Sequence, residues 1–207
     1  MVETQLRARG IRDERVLAAM ARVPRHLFVP EAGRAAAYLD TPLSIGYGQT
    51  ISQPYMVAAM LEALDVGPEM TALEIGAGSG YQAALLGELA REVWAVEIIE
   101  PLAAAARAVL AELGIDNVHI VVADGTLGLP EYAPYDRIIV AAGAPAVPEP
   151  LREQLADGGR LVIPVGGRMS QRLRIIDRVG DRFLERDGMS CVFVPLIGRH
   201  GWGGEPA

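Results

Sequence analysis

Thr71-Ala-Leu-Glu-Ile-Gly-Ala-Gly-Ser-Gly-Tyr81 is the stretch that decides the fold. Its apolar first half predicts a buried strand over 71–75, and a helix is expected to begin at Tyr81. Between them, glycines at positions 76, 78 and 80 alternate with small residues. Glycine permits a sharp turn and lets a ligand approach the backbone closely, and the N-terminus of the following helix offers free N–H groups. The stretch therefore predicts a loop that binds a nucleoside-type cofactor.

The spacing of these glycines differs from that of the dinucleotide fingerprint. That fingerprint is Gly-x-Gly-x-x-Gly, whereas this loop is Gly-x-Gly-x-Gly, with Glu74 two residues before the first glycine. An acid-led loop of this kind resembles the first motif of the S-adenosylmethionine (SAM)-dependent methyltransferases. The spacing disfavours a nicotinamide oxidoreductase. A tight strand-to-helix turn without a ligand stays open as the alternative, because such turns occur in proteins of many functions.

Alternating strands and helices from residue 71 onward predict an α/β fold with a Rossmann-like sheet. Helices between successive strands imply right-handed βαβ units and parallel pairing. After Val165 the connections are short turns, which require antiparallel pairing. We therefore expect a mixed, mainly parallel sheet with an antiparallel C-terminal edge. The predicted strands are 71–75, 92–96, 118–122, 135–140, 160–165, 171–179, 182–185 and 189–195, and the helices between the first five are 81–90, 101–113 and about 148–155.

Acidic residues follow three successive strands of this predicted parallel sheet. Glu74 lies at the end of the first strand, Glu97 ends the second, and Asp124 follows the third, directly before Gly125. Ligands of open α/β sheets bind outside the carboxyl ends of the strands. There Glu97 could accept hydrogen bonds from ribose hydroxyls, and Asp124 from an adenine amine. Each acid alone could also be a helix cap or a solvated strand end, but the three together favour a nucleoside.

The residues before the glycine loop predict a small, mainly helical extension. Residues 2–22 have helical periodicity, with a break at Gly10 and a new N-cap at Asp13. The glycine-rich and proline-rich segment 38–53 predicts a long ordered loop or a short hairpin, and such loops tend to be functional. Short helices are expected at 31–37 and at 54–64, the second with Ser52 as its N-cap.

Composition and charge exclude several classes of protein. The 207 residues are 51% hydrophobic, yet no apolar run approaches the roughly 20 residues that span a bilayer. No signal peptide is recognisable, so we expect a cytoplasmic protein without a membrane partner. We separately expect a monomer. The net charge of −7 argues against broad nucleic-acid binding, and the arginines between 160 and 182 are expected on solvated strand faces. The single cysteine, Cys191, is expected in the core, and the three histidines show no metal-site spacing.

Two further segments carry the resemblance to one methyltransferase family. Residues 23–30 read Val-Pro-Arg-His-Leu-Phe-Val-Pro, and residues 38–54 contain Tyr-Leu-Asp-Thr-Pro-Leu and Gly-Tyr-Gly-Gln-Thr-Ile-Ser-Gln-Pro. Together with 73–80, 123–125 and 161–165, they resemble the protein-L-isoaspartate O-methyltransferases over nearly the whole chain. The resemblance implies a repair enzyme that uses SAM and releases S-adenosyl-L-homocysteine. Its acceptor would be the free α-carboxylate of isoaspartyl residues in damaged proteins and peptides, which becomes a methyl ester.

The resemblance also implies a division of the chain and roles for individual residues. A single methyltransferase domain would comprise an extension at 1–54 that forms part of the substrate site, a SAM-binding core at 55–165 and an antiparallel C-terminal region at 166–207. Segment 194–197 would help to close the peptide site. Ser52 is the implied catalytic residue. The implied cofactor-binding residues are Gln49, Thr50, Ile51, Glu74, Ile75, Gly76, Ala77, Gly78, Ser79, Gly80, Tyr81, Glu97, Asp124 and Gly125.

The chemistry of this reaction suits the residues at hand. An ordinary carboxyl has a pKa of about 4 and is ionised at neutral pH, so the transfer needs no general base. Ser52 could orient the carboxylate by a hydrogen bond, with a plain helix N-cap as its alternative role. A methyltransferase for another carboxylate, an amine or RNA stays open, as does a non-catalytic SAM-binding module. A Ser-His-Asp hydrolase is disfavoured because Gly-x-Ser-x-Gly is absent.

Overall fold

Nine strands and five α-helices lie within residues 1–203, the part of the chain that the computed structural model describes. The strands are β1 Leu43–Gly46, β2 Gln49–Ile51, β3 Thr71–Ile75, β4 Glu92–Glu97, β5 Val118–Val122, β6 Tyr135–Val140, β7 Leu155–Gly167, β8 Ser170–Val179 and β9 Arg182–Cys191. The α-helices are α1 Glu14–Arg22, α2 Pro54–Leu64, α3 Tyr81–Leu89, α4 Glu100–Glu112 and α5 Glu149–Glu153.

Seven strands form one mixed sheet in the order β5-β4-β3-β6-β7-β8-β9. The pairs from β5 through to β7 are parallel, whereas β8 pairs antiparallel with both β7 and β9. The predicted fold class is thereby confirmed. The connections between the strands explain this mixed sheet, because crossover helices allow neighbouring strands to be parallel and tight turns force them to be antiparallel.

Two predicted strand boundaries in the C-terminal region are wrong. The strand expected at 160–165 already begins at Leu155, because Gly158 adopts a positive φ of 75° inside the strand instead of ending it. The strands expected at 182–185 and 189–195 are one strand, β9, which passes through Gly188 with a shift of register. A bulge absorbs the glycine that suggested a turn. The last four residues of the predicted C-terminal region lie outside the described residues.

The N-terminal extension breaks where the sequence predicts a break. A π-helical turn at Val2–Leu6 and a 3₁₀ turn at Arg7–Arg9 end at Gly10, whose φ is 102°. Helix α1 then begins after Asp13, whose side chain accepts a hydrogen bond from the N–H of Arg15. This carboxylate satisfies one of the free donors of the helix N-terminus, so the extension packs as separate short elements.

The segment 38–53 forms the predicted short hairpin, since β1 and β2 pair antiparallel. The predicted N-cap of α2 is wrong, however. Gln53 occupies the N-cap position and its side chain makes no capping bond. Oδ1 of Asp40 instead accepts from the N–H of Tyr55 at 2.9 Å. Ser52 lies one residue too early to cap the helix, which leaves its hydroxyl free of that bond.

Alternation along β3 sends its side chains into two hydrophobic layers. Ala72 joins the layer formed with α1 to α4, and Leu73 and Ile75 join the opposite layer. Because successive strand residues point to opposite faces, Glu74 lies on the side of the helices. It is completely buried there, which places a carboxyl group inside the protein at the start of the glycine loop.

The arginine-rich strands at the C-terminal edge carry paired charges, as predicted for solvated faces. Arg160 lies 2.6 Å from Asp177, and Arg174 lies 2.8 Å from both Glu185 and Asp187. Such pairs contribute little to stability at the surface, and they cancel local positive charge. Within residues 1–203, each helix is too short or too polar to cross a membrane.

Candidate active site

The glycine loop between β3 and α3 has the conformation that the sequence predicts. Gly76, Gly78 and Gly80 all adopt positive φ, at 84°, 54° and 83°. The N–H groups of Gly76 and the next residue donate to the carbonyl of Val96, at 2.8 and 3.0 Å. A Cβ at Gly80 would lie 2.9 Å from Cβ of Ala106. The loop therefore needs glycine both for its turns and for the close packing of α3 on α4.

Glu97 at the end of β4 reaches back to this loop. Its Oε2 accepts from the N–H of Gly78 at 2.8 Å, and its Oε1 accepts from the N–H of Ile99 at 2.9 Å. The side chain is buried. A carboxylate has about four lone-pair sites, so each oxygen can accept a further hydrogen bond from a ligand. Glu97 therefore has the spare acceptor capacity that its predicted contact with ribose hydroxyls would need.

A cleft, here called the loop cleft, opens beside the glycine loop. A Cβ at Gly125 would lie 2.5 Å from Cγ2 of Ile75, so only glycine keeps this wall in place. The loop cleft is lined by Gln49, Thr50, Ile75, Gly76, Gly78, Val96, Glu97, Ile98, Ile99, Gly125, Ala141, Ala142, Val194, Pro195, Leu196 and Ile197.

A second cleft, the inner cleft, lies on the other side of the loop. Between them, the loop cleft and the inner cleft are lined by all the predicted site residues except Gly80 and Asp124. The inner cleft is lined by Thr50, Ile51, Ser52, Val57, Glu74, Gly76, Ala77, Gly78, Ser79, Tyr81, Gln82 and Ala141.

The carboxyl group of Glu74 faces the inner cleft and is only half satisfied. Its Oε1 accepts from Nε2 of Gln82 at 3.0 Å, whereas Oε2 has no partner within residues 1–203. Burial raises the pKa of Glu74 well above its ordinary range; the hydrogen bond from Gln82 opposes this rise, and the charge of Glu97 adds to it. The inner cleft therefore contains a buried carboxyl oxygen without a hydrogen-bond partner in the described part of the chain.

Asp124 faces away from the clefts, toward the chain segment after β9. Its Oδ1 accepts from the N–H of Thr126 at 2.9 Å and its Oδ2 from the N–H of Arg199 at 2.8 Å. A Cβ at Gly198 would lie 2.0 Å from Oδ1. Burial by itself raises the pKa of Asp124, but these hydrogen bonds outweigh it and the pKa is lowered. The carboxylate thus holds the segment whose earlier residues, 194–197, line the loop cleft.

A third and larger cleft, the outer cleft, is a groove open to solvent with a cavity volume of about 520 Å³. Among the described residues that line it, Arg9 alone carries a charged side chain. Its guanidinium lies 3.7 Å from the ring centroid of Tyr55 and forms an ion pair with Asp40. The outer cleft is lined by Arg9, Pro42, Thr50, Ser52, Gln53, Tyr55, Met56, Ala141, Ser170, Met189, Ser190, Cys191, Val192, Phe193 and Val194.

The three clefts meet at two residues. Thr50 and Ala141 line all of them, and Ser52 lines both the inner and the outer cleft. Arg9 was missed by the sequence interpretation, because it is one of many arginines in the N-terminal extension and nothing in its local pattern marks it. Because Thr50 and Ser52 line more than one cleft, the predicted loop 49–52 lies at the junction of the clefts.

Cys191 lies in the core, as predicted. The residue is 6% exposed, and burial raises the pKa of its thiol to about 11. Because the thiolate is the nucleophilic form, this cysteine is unreactive at neutral pH. It contributes to the wall of the outer cleft as a small apolar side chain.

Comparison with known proteins gives a consistent result over the whole chain. The family model for protein-L-isoaspartate(D-aspartate) O-methyltransferase matches residues 1–201. The protein-L-isoaspartate O-methyltransferase of Methanoregula boonei is 56% identical over 202 residues, which cover 98% of this chain and 93% of that protein. The enzyme of the same name from Geobacter metallireducens is 56% identical over 206 residues, covering 99% and 95%.

Solved structures agree with the sequence comparisons. A protein-L-isoaspartate O-methyltransferase superposes with a TM-score of 0.88 at 30% identity, covering 97% of this chain and 67% of that one. A Plasmodium falciparum protein described under the same family and solved with S-adenosyl-L-homocysteine has a TM-score of 0.82 at 28% identity, covering 95% and 96%. The resemblance found in the sequence is confirmed: this chain belongs to the protein-L-isoaspartate O-methyltransferase family.

Proposed function

We propose that this chain transfers the methyl group of SAM to the free α-carboxylate of isoaspartyl residues in damaged proteins and peptides. The products are a methyl ester, which initiates repair, and S-adenosyl-L-homocysteine. The observation that carries the proposal is the meeting of the three clefts at Thr50 and Ala141. A cofactor beside the glycine loop and a peptide in the outer cleft would meet at the loop that contains Ser52.

The residues of the loop cleft and the inner cleft fit SAM. Gly76, Gly78 and Gly125 line the loop cleft without a side chain, so a ligand there could approach the backbone closely. Glu97 has acceptor capacity for ribose hydroxyls. Oε2 of Glu74 lacks a donor, which the ammonium group of an amino acid could supply. When bound, SAM supplies an electrophilic methyl group on a positively charged sulfur.

The outer cleft suits an extended peptide that carries one anion. Its polar lining is mostly neutral, with Ser52, Gln53 and Ser170, and its one charged side chain is the cation Arg9. An isoaspartyl link adds one methylene to the main chain and frees an α-carboxylate. With a pKa of about 4, that carboxylate is ionised at neutral pH and is ready to act as the nucleophile. The chain therefore has to position it, and needs no base.

Ser52 is the residue best placed to orient the acceptor. Its hydroxyl is not used as a helix cap, and the residue lies in the wall shared by the inner and outer clefts. A hydroxyl there can donate a hydrogen bond to one carboxylate oxygen and direct the other toward the methyl group. The two opposite charges neutralise one another as the bond forms, so a water-poor site favours the transfer.

The three parts of the chain work as one domain in this proposal. The outer cleft takes Ser52 from residues 1–54, Ala141 from 55–165 and Val194 from the region after 166. Each of the proposed parts therefore contributes to one site. A monomer suffices for this arrangement, and the net charge of −7 does not favour nucleic acid as the acceptor.

The decisive experiment is transfer of radiolabelled methyl groups to synthetic peptides that differ only in one aspartyl or isoaspartyl link. We expect incorporation into the isoaspartyl peptide alone, and loss of the label at alkaline pH because the product is an ester. Equal labelling of both peptides, or an alkali-stable product on an amine or RNA, would overturn the proposal. Binding of SAM without transfer would indicate a non-catalytic module.

The Ser52→Ala variant tests the role of the hydroxyl in the same assay. A hydrogen bond to a charged group contributes about 1.5–3 kcal/mol, so we expect kcat to fall on the order of 10–100-fold while the affinity for SAM is retained. Ser44→Ala is the matched control, since Ser44 is an exposed serine of the same hairpin. An equal effect of both substitutions would remove Ser52 from the mechanism.

A further inference from the structure

Arg25 is a completely buried cation without a counter-ion. Its side chain is 0% exposed, and no carboxylate of residues 1–203 forms an ion pair with it. Nε donates to the carbonyl of Ala37 and Nη2 to the carbonyl of Ser52, both at 2.7 Å, while Nη1 has no partner within residues 1–203. Burial lowers the pKa of this guanidinium. The group is thus held in a place that disfavours its charge.

Packing alone does not explain an arginine at this place. Burying an unpaired charge is unfavourable, and an apolar side chain of similar volume fills such a position at lower cost. The compensation comes from the two carbonyls and from the ring of Tyr81, whose centroid lies 4.8 Å from the guanidinium carbon. Two of these three contacts connect to the proposed site, because both Ser52 and Tyr81 line the inner cleft.

The contact with Ser52 lies at a weak point of the backbone. Ser52 comes after the last residue of β2 and before the N-cap Gln53 of α2, so neither element holds its peptide unit. The guanidinium donates to this carbonyl and at the same time lies over the ring of Tyr81, the first residue of α3. One rigid, planar group therefore connects the Ser52 segment to the end of the glycine loop.

We propose that Arg25 is a positioning residue for methyl transfer: it fixes the Ser52 peptide unit so that the hydroxyl faces the junction of the clefts. This inference rests on the proposed function, because it concerns the orientation of the acceptor. Arg25 itself lines none of the three clefts. Its effect on the reaction is transmitted through Ser52 and not through contact with either substrate.

The test compares Arg25→Lys and Arg25→Met with Arg137→Met. Arg137 is the matched control, since it is 9% exposed and also donates to backbone carbonyls, those of Asp65 and Asp136, outside the three clefts. We expect both Arg25 variants to lower kcat on the order of 10–100-fold, where kcat is calculated per protein molecule that binds S-adenosylhomocysteine. The peptide KM and the Kd for S-adenosylhomocysteine should change less than about threefold. Arg137→Met should lower thermal stability without lowering kcat.

Two further measurements separate positioning from a loss of folding. In the unliganded protein, amide hydrogen exchange over residues 50–53 should be faster in Arg25→Lys than in Arg137→Met. In a double-mutant cycle, Arg25→Lys should cost nothing more once Ser52 is alanine. Additive effects, unchanged exchange, or a Kd that rises in parallel with the loss of kcat would overturn the inference. If Arg25→Met does not fold, the same measurements are made on Arg25→Lys, which keeps the positive charge.

Failure of this inference and failure of the proposed function give different results. If the wild-type chain does not methylate isoaspartyl peptide, the proposed function fails, and the exchange measurement still reports whether Arg25 orders residues 50–53. If the wild-type chain is active and Arg25→Lys keeps full kcat, the positioning role alone is wrong.

Discussion

Glu97 and Gly78 are joined by a hydrogen bond of 2.8 Å, in which the glycine N–H donates to Oε2 of the carboxylate. The other oxygen, Oε1, holds the N–H of Ile99. One side chain therefore fixes the top of the glycine loop and the start of the next connection in the same place. The acid that is expected to bind ribose also shapes the cleft into which the ribose would fit.

We expect Glu97→Ala to weaken SAM binding much more than it lowers kcat at saturating SAM. Loss of hydrogen bonds to a charged acceptor costs about 1.5–3 kcal/mol, so the Kd measured by calorimetry should rise on the order of 10–100-fold. Glu92→Ala is the control, since Glu92 lies at the other end of β4 beside His119. An unchanged Kd in Glu97→Ala would contradict the assignment.

The raised pKa of Glu74 predicts a pH-dependent loss of stability in the unliganded protein. The native state keeps the proton at a pH where the unfolded chain, with a carboxyl pKa of about 4, has released it. Stability therefore falls as the pH rises above that value. Glu74→Gln removes this loss. The free energy of unfolding of the variant, relative to that of the wild type, should therefore increase by up to about 1.4 kcal/mol for each unit by which the pH rises. Urea unfolding at several pH values measures the difference.

The exposed Glu69 provides the control for this titration. Glu69→Gln should follow the wild-type pH dependence, because the substitution is at the surface and leaves the buried carboxyl of Glu74 in place. Parallel curves for wild type and Glu74→Gln would show that Glu74 is ionised in the native protein.

Asp124 should behave as the anchor of the segment after β9. In Asp124→Ala the N–H groups of Thr126 and Arg199 lose their acceptor, which costs about 1–3 kcal/mol. Trypsin should then cut after Arg199 faster than in the wild type. Because the pKa of Asp124 is lowered, its contribution to stability is present above the ordinary pKa and is lost as the pH falls through the lowered one.

A surface aspartate distinguishes this effect from a general one. Asp116 is exposed, and Asp116→Ala should leave both the cleavage rate and the thermal midpoint unchanged. If Asp124→Ala weakens SAM binding without faster cleavage at Arg199, the carboxylate acts on the cofactor directly and the anchoring role is wrong.

Arg9 should favour the anionic acceptor. In Arg9→Gln the outer cleft loses its charged lining residue, and a partly exposed charge contributes up to about 1 kcal/mol. We expect the KM for isoaspartyl peptide to rise roughly three- to fivefold, with kcat unchanged, and to depend less on salt than in the wild type. Arg12→Gln, at an exposed neighbour outside the cleft, should show neither change.

Much of the fold could be predicted from local pattern. Leu73 and Ile75 mark a buried strand, and the glycines after them mark the loop, because these features depend on residues close together in sequence. The course of β9 could not be predicted in this way. Asp187-Gly188 is a turn signal by its local chemistry, yet the pairing with β8 absorbs the glycine as a bulge.

For the candidate site, too, local pattern predicts the positions of some residues and not of others. The glycine loop and Glu97 follow from strand order, which places them at one edge of the sheet. The direction of Asp124 depends on a partner 75 positions away, the N–H of Arg199, and no local pattern contains it. The contribution of Arg9 depends in the same way on the packing of the N-terminal extension against α2.

The small overlap between the linings of the loop cleft and the outer cleft has a consequence for the order of substrate binding. Since the two clefts share only Thr50, Ala141 and Val194 among their lining residues, we expect that neither substrate has to pass through the place of the other. Both substrates can then be bound together without a compulsory sequence of arrival. Initial rates should follow a random sequential scheme, with double-reciprocal lines that intersect and no methylated form of the enzyme along the way.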